Sequence, residues 1–282
     1  MQTVKKTKWF DVEIFEFGYS PISKPLMTVC NFWVEGLMID TAQRNAQKIV
    51  AKTFQHKPIE QIALTHWHED HIGNTAYFFQ KYKPTIFCHP FTAQKLQTGF
   101  KVLFYEQFMF GKIDAYPIIT QDFPEKICTA KYEFTPIHTP GHSADHTVFL
   151  EKNQGWLFSG DLFVSPKIKY FRKGEDLGEQ ILSIKKILQY DFDTIFCGHY
   201  PQKTNGKELF RLKLQYFEDF YEAVKNYYYQ GLGSKEIMKA LKIKEVHWLK
   251  YVTCLDVSVE YMVTSVIRRE KKLQKQNLMT TN

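Results

Sequence analysis

Between Thr65 and Gly73 the chain reads Thr-His-Trp-His-Glu-Asp-His-Ile-Gly, which sets imidazoles at His66, His68 and His71 and a carboxylate at Asp70. These are ligands of the kind that hold divalent transition metals, and so dense a set serves no packing purpose. Three later positions repeat one context: His142 in Thr139-Pro140-Gly141-His142-Ser143, Asp161 in Phe158-Ser159-Gly160-Asp161, and His199 in Phe196-Cys197-Gly198-His199. Each follows an apolar run and a glycine, which lets the backbone turn sharply where a strand ends. One such histidine would read as an ordinary hydrogen-bonded residue. Three acceptors of this type downstream of a four-ligand loop read as the remainder of a metal site.

The elements that must position these residues can be read from periodicity. Ile62-Ala63-Leu64 is the end of a buried strand, and Gly73 to Gln80 is a helix, so the ligand loop is a strand-to-helix connection. Upstream, residues 10–17, 26–34 and 36–41 read as strands, the last ending in an acid, and 42–54 as an amphipathic helix. Downstream, 85–88 is a strand and 91–97 a helix. The stretch 99–124 is irregular and aromatic, and its place over a pocket or in the core is open. Strands resume at 132–137, 146–150, 155–159 and 194–197, with a helix at 177–189. Beyond Pro201 the pattern is helical: 208–228, then 234–241, then one long helix over 246–272. On that last helix Trp248, Val252, Leu255, Val259, Met262, Val263 and Val266 form a stripe that fits either core or a homodimer face.

Composition limits the classes of function. Hydrophobic residues make up 44% of the 282 positions and charged residues 24%, an ordinary globular balance. No run of eighteen apolar residues is present, and the N-terminus lacks the pattern of a secretory signal, so no membrane partner is expected. Five widely spaced cysteines fit buried thiols in a reducing cytoplasm better than a disulfide framework. The formal charge of +7 admits an anionic substrate or nucleic acid, although Arg268, Arg269, Lys271, Lys272 and Lys275 concentrate much of it near the C-terminus.

Over roughly residues 27 to 201 the chain resembles the metallo-β-lactamase superfamily. His66-Trp67-His68-Glu69-Asp70-His71 matches the family's H-x-H-x-D-H signature, and Thr139-Pro140-Gly141-His142, Ser159-Gly160-Asp161 and Gly198-His199 match its later motifs in order. The resemblance implies an α/β fold, the four-layer αββα sandwich, here over residues 1–206, with a helical C-terminal extension over 207–282 packed on it or on a partner subunit. It implies that His66, His68 and His142 bind one metal, that Asp70, His71 and His199 bind a second, and that Asp161 bridges them. Zn is the first choice of metal, with Mn or Fe as alternatives. Two such ions would supply hydroxide at neutral pH, with Asp70 as ligand and catalytic orienter, and His146 fits a second orienting position.

Length and the helical extension look most like the glyoxalase-II-like branch, which implies a cytoplasmic hydrolase of a small ester, thioester or lactone. Val164 stands where acyl-homoserine lactonases often carry Tyr. The alternatives are a ribonuclease or phosphodiesterase gripping RNA with its C-terminal helices and, further off, a mononuclear-iron sulfur dioxygenase using His66, His142 and Asp161. Between Asp161 and the next helix, Lys167, Lys169, Tyr170 and Arg172 are expected at the pocket rim, steering an anionic substrate.

Overall fold

The computed structural model describes residues 1–21 and 23–280. Its first half contains β1 (Gln2–Trp9), β2 (Val12–Tyr19), β3 (Thr28–Val34), β4 (Leu37–Ile39), α1 (Gln47–Phe54), β5 (Gln61–Ala63), α2 (Glu69–Ile72), α3 (Thr75–Tyr82), β6 (Thr85–Phe87), α4 (Pro90–Thr98) and α5 (Phe104–Met109). There follow β7 (Ile127–Cys128), β8 (Glu133–His138), β9 (Thr147–Glu151), β10 (Trp156–Gly160), β11 (Phe171–Arg172), α6 (Leu177–Ile187) and β12 (Thr194–Cys197). The C-terminal part comprises α7 (Gly206–Tyr229), α8 (Ser234–Ala240), α9 (His247–Val252), β13 (Val257–Ser258) and α10 (Glu260–Thr280).

Two sheets form the interior, one in the order β1-β2-β3-β4-β5-β6 and one in the order β12-β10-β9-β8-β7. Strand alternation decides what each sheet touches, because successive side chains point to opposite faces. In β2, Val12 and Ile14 face the second sheet, where they meet Phe134, Phe149, Phe158 and Phe196, while Phe15 and Phe17 face the helices α1 and α3. In β10, Trp156 and Phe158 face the first sheet, and Leu157 faces the helices α6 and α7. Three apolar cores therefore separate four layers, the αββα sandwich expected from the sequence. Both faces of β9 and β10 are covered, and every residue of these strands is buried.

The site's position follows from strand direction. β4 and β5 run parallel, β10 and β12 run parallel, and two antiparallel pairings make β8 run the same way as β10. The C-terminal ends of β8, β10 and β12 thus share one edge of their sheet, and those of β4 and β5 share one edge of theirs. The seven candidate ligands all lie in the turns just beyond these ends.

The structure adds one element to the sequence reading and corrects two others. Residues 2–9, to which the sequence reading assigned no element, form a full-length hairpin partner of β2 with register Gln2↔Tyr19 to Trp9↔Val12. Its alternation is masked by Lys5, Lys6 and Lys8, which are exposed on both faces of this edge strand. Residues 42–46 are not part of the first helix, since Ala42 has φ +61° and a 3-10 turn precedes α1. The final helix is broken: Cys254 and Leu255 have φ of +53° and +64°, and the chain turns to pair β13 with β11. The apolar stripe is split accordingly. Val259, Met262, Val263 and Val266 enter the core with α6 and α7, whereas Trp248, Val252 and Leu255 are exposed. The C-terminal segment, of which residues 281 and 282 lie outside those described, packs on the outer helical layer of the second sheet.

Candidate metal centre

His66 and His68 leave the end of β5, and α2 begins at Glu69, so Asp70 and His71 sit on one short helical turn. His142 comes from the β8–β9 turn, Asp161 from the end of β10, and His199 from the end of β12. The structure brings all seven together. His66 Nε2 lies 3.0 Å from His68 Nδ1, which lies 2.9 Å from His142 Nε2. A second group is formed by Asp70, His71 and His199, with His199 Nε2 3.4 Å from Asp70 Oδ2. The carboxylate of Asp161 lies between the two groups: its Oδ2 is 3.6 Å from His142 Nε2 and 3.3 Å from His199 Nε2, and its Oδ1 is 3.4 Å from His71 Nε2.

For His66, His71, His142 and His199 an outer partner determines which ring nitrogen faces inward, whereas His68 turns its Nδ1 inward. His71 Nδ1 meets Asp40 Oδ2 at 2.8 Å, His142 Nδ1 meets Glu175 Oε2 at 3.2 Å, and His199 Nδ1 meets the Thr28 carbonyl at 2.8 Å. An acceptor on Nδ1 holds the proton there and leaves the Nε2 lone pair free, the arrangement metal-ligating histidines almost always have. His66 Nδ1 similarly contacts Thr65 Oγ1 at 2.9 Å. Asp40 is itself fastened to the loop: its carboxylate accepts from the Thr65 backbone N–H and hydroxyl, each at 2.8 Å.

His146 plays a different part from the other rings. Its Nδ1 lies 2.9 Å from Thr139 Oγ1, and its Nε2 accepts the Asp161 backbone N–H at 3.1 Å. It therefore holds the turn that carries Asp161, not a position among the converging nitrogens.

The electrostatics divide the site in two. Burial and the neighbouring rings hold His66 well below the usual histidine value, and burial with the nearby Arg172 does the same to His68, so both keep free lone pairs. His71 and His199 go the other way. Burial opposes their charge, but Asp70, Asp161 and Asp40 raise His71 well above its ordinary value, and Asp161 with Asp70 raises His199 to about 9. Carboxylates there create a potential that favours a cation.

Two further observations show that the residues fit a metal. The buried atoms His71 Nε2 and Asp161 Oδ1 complete no hydrogen bond among the described residues, a costly state for polar atoms that a bound cation would relieve. Beside them Gly198 keeps space open, because a Cβ at that position would lie 2.7 Å from Asp161 Oδ1 and 2.7 Å from His71 Cε1.

The expected rim residues divide. Lys167, Lys169 and Tyr170 are exposed. Arg172 is not a free steering charge: its guanidinium is paired with the carboxylates of Glu69, Glu106 and Asp256, which neutralise it locally. Periodicity could not reveal this, since all three partners are distant in sequence.

Sequence reasoning left Asp40, Thr65, Thr28 and Glu175 without roles. Asp40 had a visible signal, an acid closing a buried apolar strand. Glu175 lies in a charged stretch that resembles ordinary loop, and a backbone carbonyl such as that of Thr28 leaves no side-chain signal at all.

The irregular stretch after α4 is seated, not splayed. Phe100 packs edge-on against Trp67 with ring centroids 4.8 Å apart, and Asn45 Nδ2 donates to the carbonyls of Gln107 and Phe108 at 3.2 and 3.0 Å. Tyr105 donates to Asp256 at 2.7 Å. Thus α5 spans from the first half of the chain to the C-terminal segment beside the turn that carries His66 to His71.

Comparison with known proteins points the same way as this geometry. Residues 34–199 match the model of the Metallo-beta-lactamase superfamily. A Beta-lactamase-like protein 2 homolog of Drosophila melanogaster is 32% identical over 179 residues, covering 58% of this chain and 54% of that protein. A Hydroxyacylglutathione hydrolase of Bdellovibrio bacteriovorus is 27% identical, covering 51% of this chain and 50% of its own length. An Atrochrysone carboxyl ACP thioesterase of Aspergillus fumigatus is 28% identical, covering 58% and 47%. The chain thus spans about half the length of these curated relatives. Among solved structures, a metallo-beta-lactamase family protein of Thermus thermophilus superposes with a TM-score of 0.65 at 17% identity, covering 93% of this chain and 94% of that one.

Proposed function

The chain belongs to the metallo-beta-lactamase superfamily, and from that premise we propose that it is a binuclear metal-dependent hydrolase of the glyoxalase-II-like branch, acting on a small ester, thioester or lactone. The observation that carries this reading is the Asp161 carboxylate between two separate groups of ligand atoms. His66, His68 and His142 would hold one ion, and Asp70, His71 and His199 the other, with Zn preferred for a set dominated by imidazole. Bound there, two divalent ions would supply a hydroxide at neutral pH and polarise the oxygen of the scissile group.

The chain's own residues supply orientation and proton control. Asp40, Glu175 and the Thr28 carbonyl keep protons on the outward Nδ1 atoms of His71, His142 and His199. Asp70 presents a carboxylate to His199 and His71, where it can orient an attacking water and accept its proton. His146 holds the backbone of Asp161 by accepting its N–H. Lys167, Lys169 and Tyr170 are exposed on the segment leaving Asp161, as is Lys173, and exposed cations there would favour a substrate with a carboxylate or phosphate away from the scissile bond.

The relatives' names favour thioester among the three bonds, since one is a thioesterase and another a hydroxyacylglutathione hydrolase. The test is to reconstitute the protein with Zn, Mn or Fe, count ions per chain, and offer thioester, lactone and phosphodiester panels. Close to two ions per chain and turnover of a thioester or ester are expected. Cleavage of RNA with no ester turnover would replace this reading with the ribonuclease alternative, and a single tight ion that cannot be raised to two would remove the binuclear assignment.

A further inference from the structure

Arg172 occupies an unusual node. Its Nε donates to Asp256 Oδ2 at 2.9 Å, its Nη1 to Glu69 Oε1 at 3.4 Å, and its Nη2 to Glu106. Its backbone N–H donates to Glu175 Oε1 at 2.8 Å, and the other oxygen of Glu175 is the partner of His142 Nδ1. The four carboxylates come from four segments: the ligand turn at α2, helix α5, the strap before α6, and the C-terminal segment before β13.

The carboxylates are withdrawn from water. The side chain of Glu69 is 1% exposed and that of Glu106 5%. Buried carboxylates are tolerated when paired and hydrogen-bonded. Glu106 has its second oxygen on the Leu103 N–H at 2.7 Å, and Asp256 also accepts from Tyr105 at 2.7 Å. A planar guanidinium with five donors in a fixed fork suits such a junction, whereas the point charge of a lysine would satisfy fewer acceptors at once.

Two of the four carboxylates bear directly on the proposed ligands. Glu69 stands between His68 and Asp70 in the sequence, so its side chain sets the rotation of the turn that carries both. Glu175 sets the ring of His142. Among the described residues, Asp256 and Glu106 make no hydrogen bond or ion pair with a candidate ligand, but they determine where Arg172 sits. β11 and β13 pair through Phe171↔Ser258 and Arg172↔Val257, and Lys173 N donates to the Asp256 carbonyl at 2.9 Å, which locks the same junction through the backbone.

We infer that Arg172 is a positioning residue for the metal centre, its guanidinium orienting the turn of His68 and Asp70 through Glu69 while its backbone N–H holds Glu175 against His142, and that Asp256 makes the guanidinium's place dependent on the docked C-terminal segment. The inference rests on the metal-site reading above. It makes the C-terminal segment part of the centre's geometry although it contributes none of the seven candidate ligands.

The test compares Arg172→Lys, Glu69→Gln and Asp256→Asn with the unaltered full-length protein, using zinc competition against a chromophoric chelator and thermal melts of the metal-free forms. Asp256→Asn is the mild variant, because it keeps shape and its carboxylate bears on the ligand turn only through Arg172. All three are expected to weaken zinc about tenfold or more, the range for residues that orient ligands, with Asp256→Asn melting close to the unaltered protein. A merely structural role would lower the melting temperatures while leaving zinc affinity unchanged, and that result overturns the inference while the hydrolase reading stands. If the unaltered protein binds no metal, the hydrolase reading fails and the inference falls with it.

Discussion

Asp161 and Lys213 illustrate two ways in which a buried charge is accommodated. Asp161 is held in its ionised form against the cost of burial by His199 and His71, and it stands at a sheet edge where its removal opens no core cavity. Asp161→Ala is therefore expected to lose at least one metal ion per chain, and to lower turnover of the substrate found by the panel by orders of magnitude, with circular dichroism unchanged. Retained turnover would contradict the bridging role. Lys213 is fully buried, and its ammonium donates only to a carbonyl, that of Phe163, with no carboxylate in ion-pairing reach among the described residues. Burial pushes its pKa down from 10.5 to about 7.

The sign of the resulting pH dependence is fixed. Below about pH 7 both folded and unfolded chains carry the proton, and the folded state bears the full penalty. Between that value and the unfolded one the folded lysine is neutral, so stability rises with pH, by at most about 5 kcal/mol for a shift of this size. Lys213→Met should accordingly stabilise the protein most in acid, and its advantage in urea melts should shrink from pH 6 toward pH 10. A difference that does not vary with pH would mean that Lys213 stays charged throughout.

At the scale of elements, the turns after strands do the positioning, and their glycines are constrained. Gly141 has φ +129°, and a Cβ there would lie 2.4 Å from the Gln180 backbone nitrogen at the start of α6. The same residue's carbonyl accepts from Asp176 N at 2.8 Å. The β8–β9 turn and α6 thus meet through bare backbone, one residue before His142. Gly141→Ala combines strained backbone with a backbone clash, and a loss of about 2 to 4 kcal/mol is expected in chemical denaturation, together with weaker zinc binding. The break before α10 is the other decisive feature. It frees β13 to pair with β11, and it brings Ser265 Oγ to the Leu177 N–H at 2.8 Å and Arg269 to Glu179 at 2.7 Å.

Over the whole molecule the net charge of +7 sets a weak attraction for anions. With Arg172 committed to its carboxylates, steering falls to the exposed lysines of the segment, Lys167 and Lys169 among them. Replacing both with Gln should raise KM for an anionic substrate several-fold with little change in kcat, as lost uniform binding does, and the effect should fade at high salt as the Debye length contracts. An unchanged KM would leave these lysines as ordinary solvated charge. No helix among the described residues is long and apolar enough to cross a membrane.

The sequence alone determined most of the central strands and helices and the set of seven candidate ligands, and its resemblance to a family implied the αββα layering. These are encoded locally: alternation of two, periodicity near four, and short motifs beside glycines at strand ends all survive without knowledge of the fold. Tertiary structure alone decided what holds those residues. Asp40 reaches His71 across 31 positions and Glu175 reaches His142 across 33, while Arg172 joins partners 66, 84 and 103 positions away. It also decided where the last helix breaks, because exposed and buried halves of one apolar stripe look identical in sequence. A side chain's partner at long range depends on strand direction and on which faces the layers bury, and those are settled only when the whole sandwich closes.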